Sequence, residues 1–319
     1  MNKTELMEVY YRMQLARTFE SRVAEQYTKG NVGGFCHLYS GEEAVAVGAM
    51  WHLKDEDYVI GSYRDHAYYL IRGGDTKEVM AELFGHREGC CKGKGGSMHL
   101  FNRDINFLGG YAIVAGMCPI AVGLGYSIQQ KEEDRIVLCF FGDGATNQGV
   151  YHESLNMASL YKLPVVWVCE NNRYAIGTSV PRSSAKESLA RKAKAYDMPT
   201  YTVDGMDFFK MQSVAERAIQ AARAGEGPSF IEARCYRYRG HSMSDPGKGY
   251  RSEEEIEHWK ERDPIPGIKK AIKHDFEVGE EEFDEVDERV EQEIEGAIEF
   301  AESGSELPPE RLYEDLYVE

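Results

Sequence analysis

Two short stretches hold the side chains best suited to bind an anion and a metal ion together, Gly142-Asp143-Gly144 and Asn171-Asn172. Each follows an apolar run, IVLCFF before the first and VVWVCE, apolar up to its last residue, before the second. Near-continuous apolar runs, as opposed to alternating ones, suit parallel strands covered on both faces. The 26 residues between Gly144 and Asn171 leave room for a crossover helix and its turns. The two strand ends then come out side by side, and a carboxylate from one loop can meet an amide oxygen from the other. Such a pair suits a hard cation such as magnesium, which takes about six oxygens and leaves several of them to phosphate and water. The glycines beside Asp143 remove side chains where a diphosphate would approach the backbone. Gly-Asp-Gly alone is also an ordinary turn, so the weight lies on the pairing of the two motifs. The competing phosphate patterns G-x-x-x-x-G-K-[ST] and G-x-G-x-x-G after a strand are absent.

The elements that must position these loops can be read from periodicity. Residues 4–29 place Leu6, Val9, Tyr10, Met13 and Ala16 near helical spacing, and the glycines of 30–34 end that helix. A second helical stretch, 42–51, leads into the apolar run 58–60 and then Gly61-Ser62-Tyr63-Arg64. Residues 76–84 read as a helix and 89–96 as a glycine-rich loop. Small residues dominate 114–130 (Ala115, Gly116, Ala121, Gly123, Gly125), which predicts a helix packed deep in the core. Strands are expected at 135–141, 164–169, 201–203 and 229–236, with helices at 151–161 and 211–224 between them. This β-α-β order predicts an α/β fold with a doubly wound, mainly parallel sheet over residues 1–250. Residues 251–319 are expected to form an acidic helical extension packed on the same domain, opening with a capping box of Ser252 and Glu255. The polar, glycine-rich segment 240–250 has few apolar groups to hold it and is expected to be mobile until an anion binds at its base.

Composition narrows the function. The chain has 37 basic and 54 acidic residues, a net charge of −17, and the stretch from Arg251 onward, with 8 basic and 25 acidic residues, accounts for the whole imbalance. No phosphate-neutralising field is available, so nucleic-acid binding is not expected. The seven cysteines are odd in number and form no C-x-x-C pair, and most sit in apolar runs; buried reduced thiols are expected, with adjacent Cys90 and Cys91 as the only pair with redox potential. No apolar run reaches membrane-spanning length, and the first twenty residues have an amphipathic pattern unlike a signal peptide. A soluble cytoplasmic enzyme is the expectation.

Segments GFCHLYSGEEA (34–44), SYRDHA (62–67), KGKGGSMH (92–99), GDGATNQG (142–149), ENNRYAIGTS (170–179), VDGMD (203–207) and YRYRGHSMSDPG (236–247) together resemble the alpha subunits of thiamine diphosphate-dependent 2-oxo acid dehydrogenases, closest to those of pyruvate dehydrogenases. The resemblance covers nearly the whole chain. It implies a sheet of the thiamine diphosphate-binding type and two cofactors, thiamine diphosphate and magnesium. By position, Asp143 and Asn172 would bind magnesium through their side chains and Tyr174 through its carbonyl, with Gly144 and Ala145 in the same cofactor loop. Tyr63 and Arg64 match residues that hold the cofactor, Arg64 on its diphosphate, and a planar guanidinium fork suits that task. Ala112 and Val114 fall where backbone groups meet the aminopyrimidine ring, although the family usually has glycine at 112. His37 and His241 match a pair lining the channel of the lipoyl arm, where an imidazole between neutral and protonated forms is useful. Arg237 would orient this loop or the carboxylate side of the site. His66, His99 and His152 make no ligand spacing and are expected to be structural. The implied activity is oxidative decarboxylation of a small 2-oxo acid with reductive acylation of a lipoyl group on a partner acyltransferase. The implied assembly has two alpha and two beta chains, the beta chain supplying the glutamate that activates the cofactor. Acetoin dehydrogenase, branched-chain 2-oxo acid dehydrogenase and a non-catalytic cofactor-binding assembly subunit stay open as alternatives.

Overall fold

The computed structural model describes residues 1–315 and Tyr317, the side chain of Leu312 apart. Its strands in chain order are β1 (Tyr58–Ser62), β2 (Phe107–Tyr111), β3 (Val137–Gly142), β4 (Val165–Asn171), β5 (Tyr174–Ala175), β6 (Thr178–Ser179), β7 (Thr200–Asp204) and β8 (Ser229–Arg234). Six of them form one sheet in the order β2-β1-β3-β4-β8-β7 with every neighbouring pair parallel, while β5 and β6 make a short antiparallel hairpin. The two central strands are apolar along their length because both of their faces are covered. Leu138, Phe140, Val166 and Val168 join a core shared with helices Lys3–Lys29, Glu43–Met50, Phe208–Arg223, Pro264–Asp275 and Glu280–Glu302. Val137, Cys139, Phe141, Val165, Trp167 and Cys169 face the other way, against helices Met117–Gln130, Gly149–Leu160 and Leu189–Ala193. The expected doubly wound parallel sheet is therefore present. From β1 the chain steps outward to β2, then returns across β1 to β3, so the winding reverses between β1 and β3. In open α/β sheets the crevice at such a reversal, beyond the carboxyl ends of the strands, is where ligands bind.

Three local expectations are corrected. Strand β2 was not anticipated, because its sequence FLGGY has two glycines where strand formers are expected. The reason is tertiary: a Cβ on Gly110 would lie 1.8 Å from Oδ2 of the buried Asp65. The helix expected over 114–130 begins at Met117 and is not deep in the core. Gly125 lets it approach the sheet, since a Cβ there would come within 2.9 Å of Val165 Cγ2, but Gly123 faces open space and Ile120 and Tyr126 are exposed. The capping box at Ser252 is only half made. Ser252 Oγ accepts from the Glu255 amide at 3.1 Å, whereas the Glu255 carboxylate accepts from the Tyr174 hydroxyl at 3.0 and 3.1 Å. The acidic C-terminal helices are amphipathic, with Phe283, Val290, Ile294 and Ile298 in the core and Asp287 accepting from the Tyr10 hydroxyl at 2.9 Å. Among the described residues no helix is long and apolar enough to cross a membrane.

One buried carboxylate organises the glycine-rich loop. Glu82 Oε2 accepts from the amides of Cys91 and Gly93, both at 2.8 Å, and Oε1 from those of Gly95 and Gly96 at 2.7 and 3.0 Å. Gly89 is required beside it, since a Cβ there would sit 2.4 Å from Glu82 Oε2. The loop delivers Ser97, whose hydroxyl accepts from the His37 amide at 3.3 Å and lies 2.9 Å from His66 Nε2. Five cysteines are buried, and Cys90 and Cys91, partly exposed with their sulfurs 4.0 Å apart, form no disulfide. Although Glu82 lies close to both thiols, its four acceptor positions are spent on amides, which leaves no carboxylate oxygen for a metal there. Glu82→Ala strands four amides, each costing about 1–3 kcal/mol when left buried and unpaired. Denaturant unfolding should show a loss of several kcal/mol for Glu82→Ala and a smaller one for Glu82→Gln; a loss under about 1 kcal/mol for the alanine variant would contradict this role.

Candidate active site

Beyond the carboxyl ends of β1, β3 and β4 the loops diverge around a cavity of about 530 Å³. It lies at the winding reversal. Strand β1 leads into Ser62, Tyr63 and Arg64, β2 into Ala112 and Val114, β3 into Asp143, Gly144 and Ala145, and β4 into Asn172 and Tyr174. The stretch after β8 contributes Arg237 and His241, and the loop after the first helix contributes His37. Every site residue expected from the sequence lines this one cavity.

In the β3–β4 ladder Gly142 pairs with Glu170, so Asp143 and Asn172 leave adjacent strands at nearly the same level. Asp143 Oδ2 and Asn172 Oδ1 are both buried without a hydrogen-bond partner. Two such oxygens in one cavity carry a desolvation cost that a hard cation would remove. The donor set thus fits magnesium. Burial pushes the Asp143 carboxyl up to about 7, with Arg237 opposing the rise. The Asn172 amide is oriented from behind, its Nδ2 donating to Glu42 Oε1 at 2.7 Å. The Tyr174 carbonyl accepts from Arg237 Nη1 at 3.1 Å, which leaves it one free lone pair. Gly142 has open space where its side chain would be, as an approaching diphosphate requires; Gly144 instead makes room for the hairpin, its Cβ position lying 2.7 Å from Ala175 Cβ. Arg173 and Ile176, at φ 77° and 55°, flank Tyr174–Ala175 in the left-handed region, and Ala115 at φ 66° turns the chain beside Val114. Left-handed backbone at non-glycine residues costs about 1–2 kcal/mol each and persists where the surroundings impose it.

Arg64 and Arg237 are almost wholly buried. Arg64 donates from Nη1 to the Leu38 carbonyl at 2.6 Å and from Nη2 to the His241 carbonyl at 2.9 Å, and its Nε lies 3.8 Å from Glu42 Oε2. Its fork therefore ties two loops together while its charge faces the cavity floor. Arg237 donates to the carbonyls of Arg239, Tyr174 and Ile176 at 3.2, 3.1 and 3.3 Å, tying its own stretch to the β5–β6 hairpin. Burial, and then the neighbouring Arg64, hold its guanidinium below the usual arginine range. Sequence reasoning missed Glu42 and Glu170. Glu170 accepts hydrogen bonds from the hydroxyls of Tyr39 and Tyr68, and burial, with Glu42 adding to it, pushes its carboxyl up to about 8. The available signal was a carboxylate closing an otherwise apolar strand, VVWVCE.

His37 and His241 pack edge to face with ring centroids 5.1 Å apart, and Tyr63 lies 4.5 and 5.7 Å from them. Burial first and Arg64 second depress both imidazoles, His37 to about 2 and His241 to about 3. Both shifts favour the neutral imidazole. His66 is structural, its Nδ1 2.9 Å from Glu20 Oε2 in the core; His99 and His152 contact the Gly110 carbonyl and the Tyr196 hydroxyl. The segment 240–250 carries its own knot. Asp245 accepts from the amides of His241 and Gly247 at 2.7 and 2.8 Å and from the Tyr250 hydroxyl at 2.6 Å, and Arg251 donates to the Arg239 carbonyl at 2.7 Å. These polar contacts stand where apolar ones are scarce.

The family described as "Dehydrogenase E1 component" matches residues 11–310. The chain is 43% identical over 316 residues, 99% of its length and 90% of the relative's, to a protein of Rhizobium meliloti named "Pyruvate dehydrogenase E1 component subunit alpha". Proteins of the same name from Porphyra purpurea and Rickettsia bellii are 44% and 42% identical, covering 96% and 99% of this chain and 91% and 97% of theirs.

Two expectations concern the histidine and aspartate contacts. An unfolded chain takes up a proton at His37 below about pH 6.5 while the folded chain does so only near pH 2, so the unfolded state binds more protons and stability falls as pH drops through that window. At pH 5 the His37 contribution is about 2 kcal/mol. The difference in unfolding free energy between pH 7 and pH 5 should shrink by roughly that amount in His37→Gln; an unchanged difference would show that the imidazole is not held neutral. Asp245→Asn keeps the shape but weakens three hydrogen bonds, and limited proteolysis should cut within 240–250 several-fold faster than in the wild type, with cleavage elsewhere unaltered.

Proposed function

Because the chain belongs to the dehydrogenase E1 component family, we propose that it is the alpha subunit of a pyruvate dehydrogenase first component, contributing half of a site for oxidative decarboxylation of pyruvate and reductive acetylation of a lipoyl group. The observation that carries this is the pair of orphaned oxygens, Asp143 Oδ2 and Asn172 Oδ1, in a cavity at the winding reversal beneath two buried guanidiniums. Thiamine diphosphate, when bound, supplies the electron sink for cleaving the bond between the carboxyl and carbonyl carbons. Magnesium would be held by Asp143, Asn172 and the free lone pair of the Tyr174 carbonyl, and would neutralise diphosphate charge. Arg64 and Arg237 provide the positive field that a diphosphate and a substrate carboxylate require in an otherwise acidic protein. His37 and His241, each with a buried Nδ1 lacking a partner, can hold or pass a proton at that atom. Tyr63 packs on both rings and fixes their orientation.

The carboxylates that line the cavity are otherwise engaged. Glu170 is held by two tyrosine hydroxyls, and Asp143 is assigned to the cation. Neither is free to activate the cofactor ring, which supports a glutamate from a beta subunit in that role. Phe35, Val114 and Ile176 line the cavity and are exposed, and a partner chain would cover them. An assembly of two alpha and two beta chains, working with a lipoyl-bearing acyltransferase, follows from this reading. A purely structural subunit would have no use for the complete cation and anion set.

Asp143→Ala should abolish metal-dependent thiamine diphosphate binding while leaving thermal unfolding of the alpha–beta complex within a few degrees of wild type. Isothermal calorimetry with and without magnesium checks it, and wild-type affinity would refute the assignment. The chain alone should turn over nothing; the pair should act on pyruvate in preference to acetoin and to branched 2-oxo acids, and a reversed preference would move the chain to one of those sister activities.

A further inference from the structure

Glu42 stands immediately before helix Glu43–Met50 and makes no capping hydrogen bond to it, so its side chain serves something other than the helix. It is completely buried. Its Oε1 accepts from Asn172 Nδ2 at 2.7 Å and lies 3.5 Å from the Cys235 thiol, whereas Oε2 has no hydrogen bond and is 3.8 Å from Arg64 Nε. A carboxylate in this position is costly, since Asp143 and Glu170 are already buried nearby. Arg64 offsets part of that cost as a counter-ion but makes no hydrogen bond to the carboxylate, its fork reaching two backbone carbonyls instead. The short contact is to Asn172.

We infer that Glu42 is the positioning residue for the cation: an acceptor with no hydrogen to give, it turns the Asn172 amide so that Oδ1, and not the NH₂ group, is presented to the metal. An amide carries two donors at one end and an acceptor at the other and exchanges them by a half-turn of its last torsion. A flipped Asn172 would present N–H groups to a cation. Fixing the torsion removes that alternative, and outer-shell partners of this kind are typically worth 10–100-fold in metal affinity. This rests on the magnesium assignment above. The inference separates the two properties of Glu42: acceptance at Oε1 is what the metal needs, and negative charge is not.

The test is a manganese(II) titration of the alpha–beta complex with saturating thiamine diphosphate, free ion being counted by electron spin resonance. Glu42→Leu should weaken binding 10–100-fold. Glu42→Gln, which still offers an acceptor oxygen, should restore affinity to within about threefold of wild type, a rescue that a lost packing contact would not give. Asn172→Asp is the reciprocal variant. Against Glu42 it sets two carboxylates in contact and should bind the ion poorly, although aspartate is intrinsically the better ligand; in the Glu42→Gln background, where the new amide can donate to it, binding should recover at least tenfold. If Glu42→Leu does not assemble, the Asn172→Asp pair decides alone. Equal loss in Glu42→Gln and Glu42→Leu, or no recovery in the double variant, overturns the inference. Asp143→Ala in the same titration keeps the two levels apart: wild-type binding there overturns the metal assignment and Glu42's role with it, whereas loss there with full binding in Glu42→Leu overturns Glu42's role only.

Discussion

Two guanidinium groups lie almost wholly out of water at the open end of an apolar parallel sheet, and the arrangement around them is set by the cost of keeping Arg64 and Arg237 there. Removing a single ion from water costs several kcal/mol even after relaxation, so a buried arginine survives only with its donors spent and its charge balanced. The donors go to backbone carbonyls of Leu38, His241, Tyr174, Ile176 and Arg239. Those carbonyls belong to loops that leave the sheet at different places and share little apolar contact. Charge therefore does at the rim what hydrophobic packing does beneath it, and the same atoms that stitch the loops also create the positive field of the site.

Burial first, and that field second, shift the protonation of its neighbours. The imidazoles of His37 and His241 are held neutral by burial and by Arg64, while burial drives Asp143 and Glu170 upward and Arg237 or Arg64 draws them back. The carboxylates and guanidiniums thus offset each other within one water-poor cluster. Groups so close together do not contribute independently, and removing one leaves its partner as an uncompensated charge. A ligand that brings both a cation and a diphosphate adds no net burden to such a cluster: the cation meets the orphaned oxygens and the anion meets the arginines.

The parts of this architecture legible in the sequence are those where one residue type answers to one local demand. The runs of β3 and β4 could be read because burial on both faces leaves no polar position, and Gly-Asp-Gly with Asn-Asn could be read because the strand ends must lie together. Strand β2 could not, since Gly110 answers to Asp65, forty-five residues earlier in the chain. Nor could the task of Glu42: in SGEEA it looks like an ordinary acidic residue at a helix start, and only the fold places Asn172 against it. Small residues in helix Met117–Gln130 suggested depth, yet one glycine meets the sheet and another meets nothing. In segment 240–250 composition gave a count of apolar groups and was silent on Asp245, whose single carboxylate holds three donors. The place of His37 and His241 in the cavity was legible only through family resemblance, because a loop histidine has no distinguishing local pattern.

The cavity is unequal at its two ends, and that inequality bears on how the reaction is shared. At its inner end the Asp143 and Asn172 oxygens are brought nearly level by the β3–β4 register, and both guanidiniums are anchored to backbone carbonyls. At its mouth Phe35 is 63% exposed, Ile176 62% and Val114 41%. Leaving such side chains in water forgoes about 1.5–3 kcal/mol each compared with full burial. Burial under a second surface would recover that energy. The inner end has fixed charges and oxygens that a cation could join. Under the proposed function the outer end would admit substrate and a lipoyl arm, and here the lining offers imidazoles, backbone and an apolar rim. A cofactor anchored by its diphosphate in this chain would thus present its reactive rings to whatever chain closes the mouth.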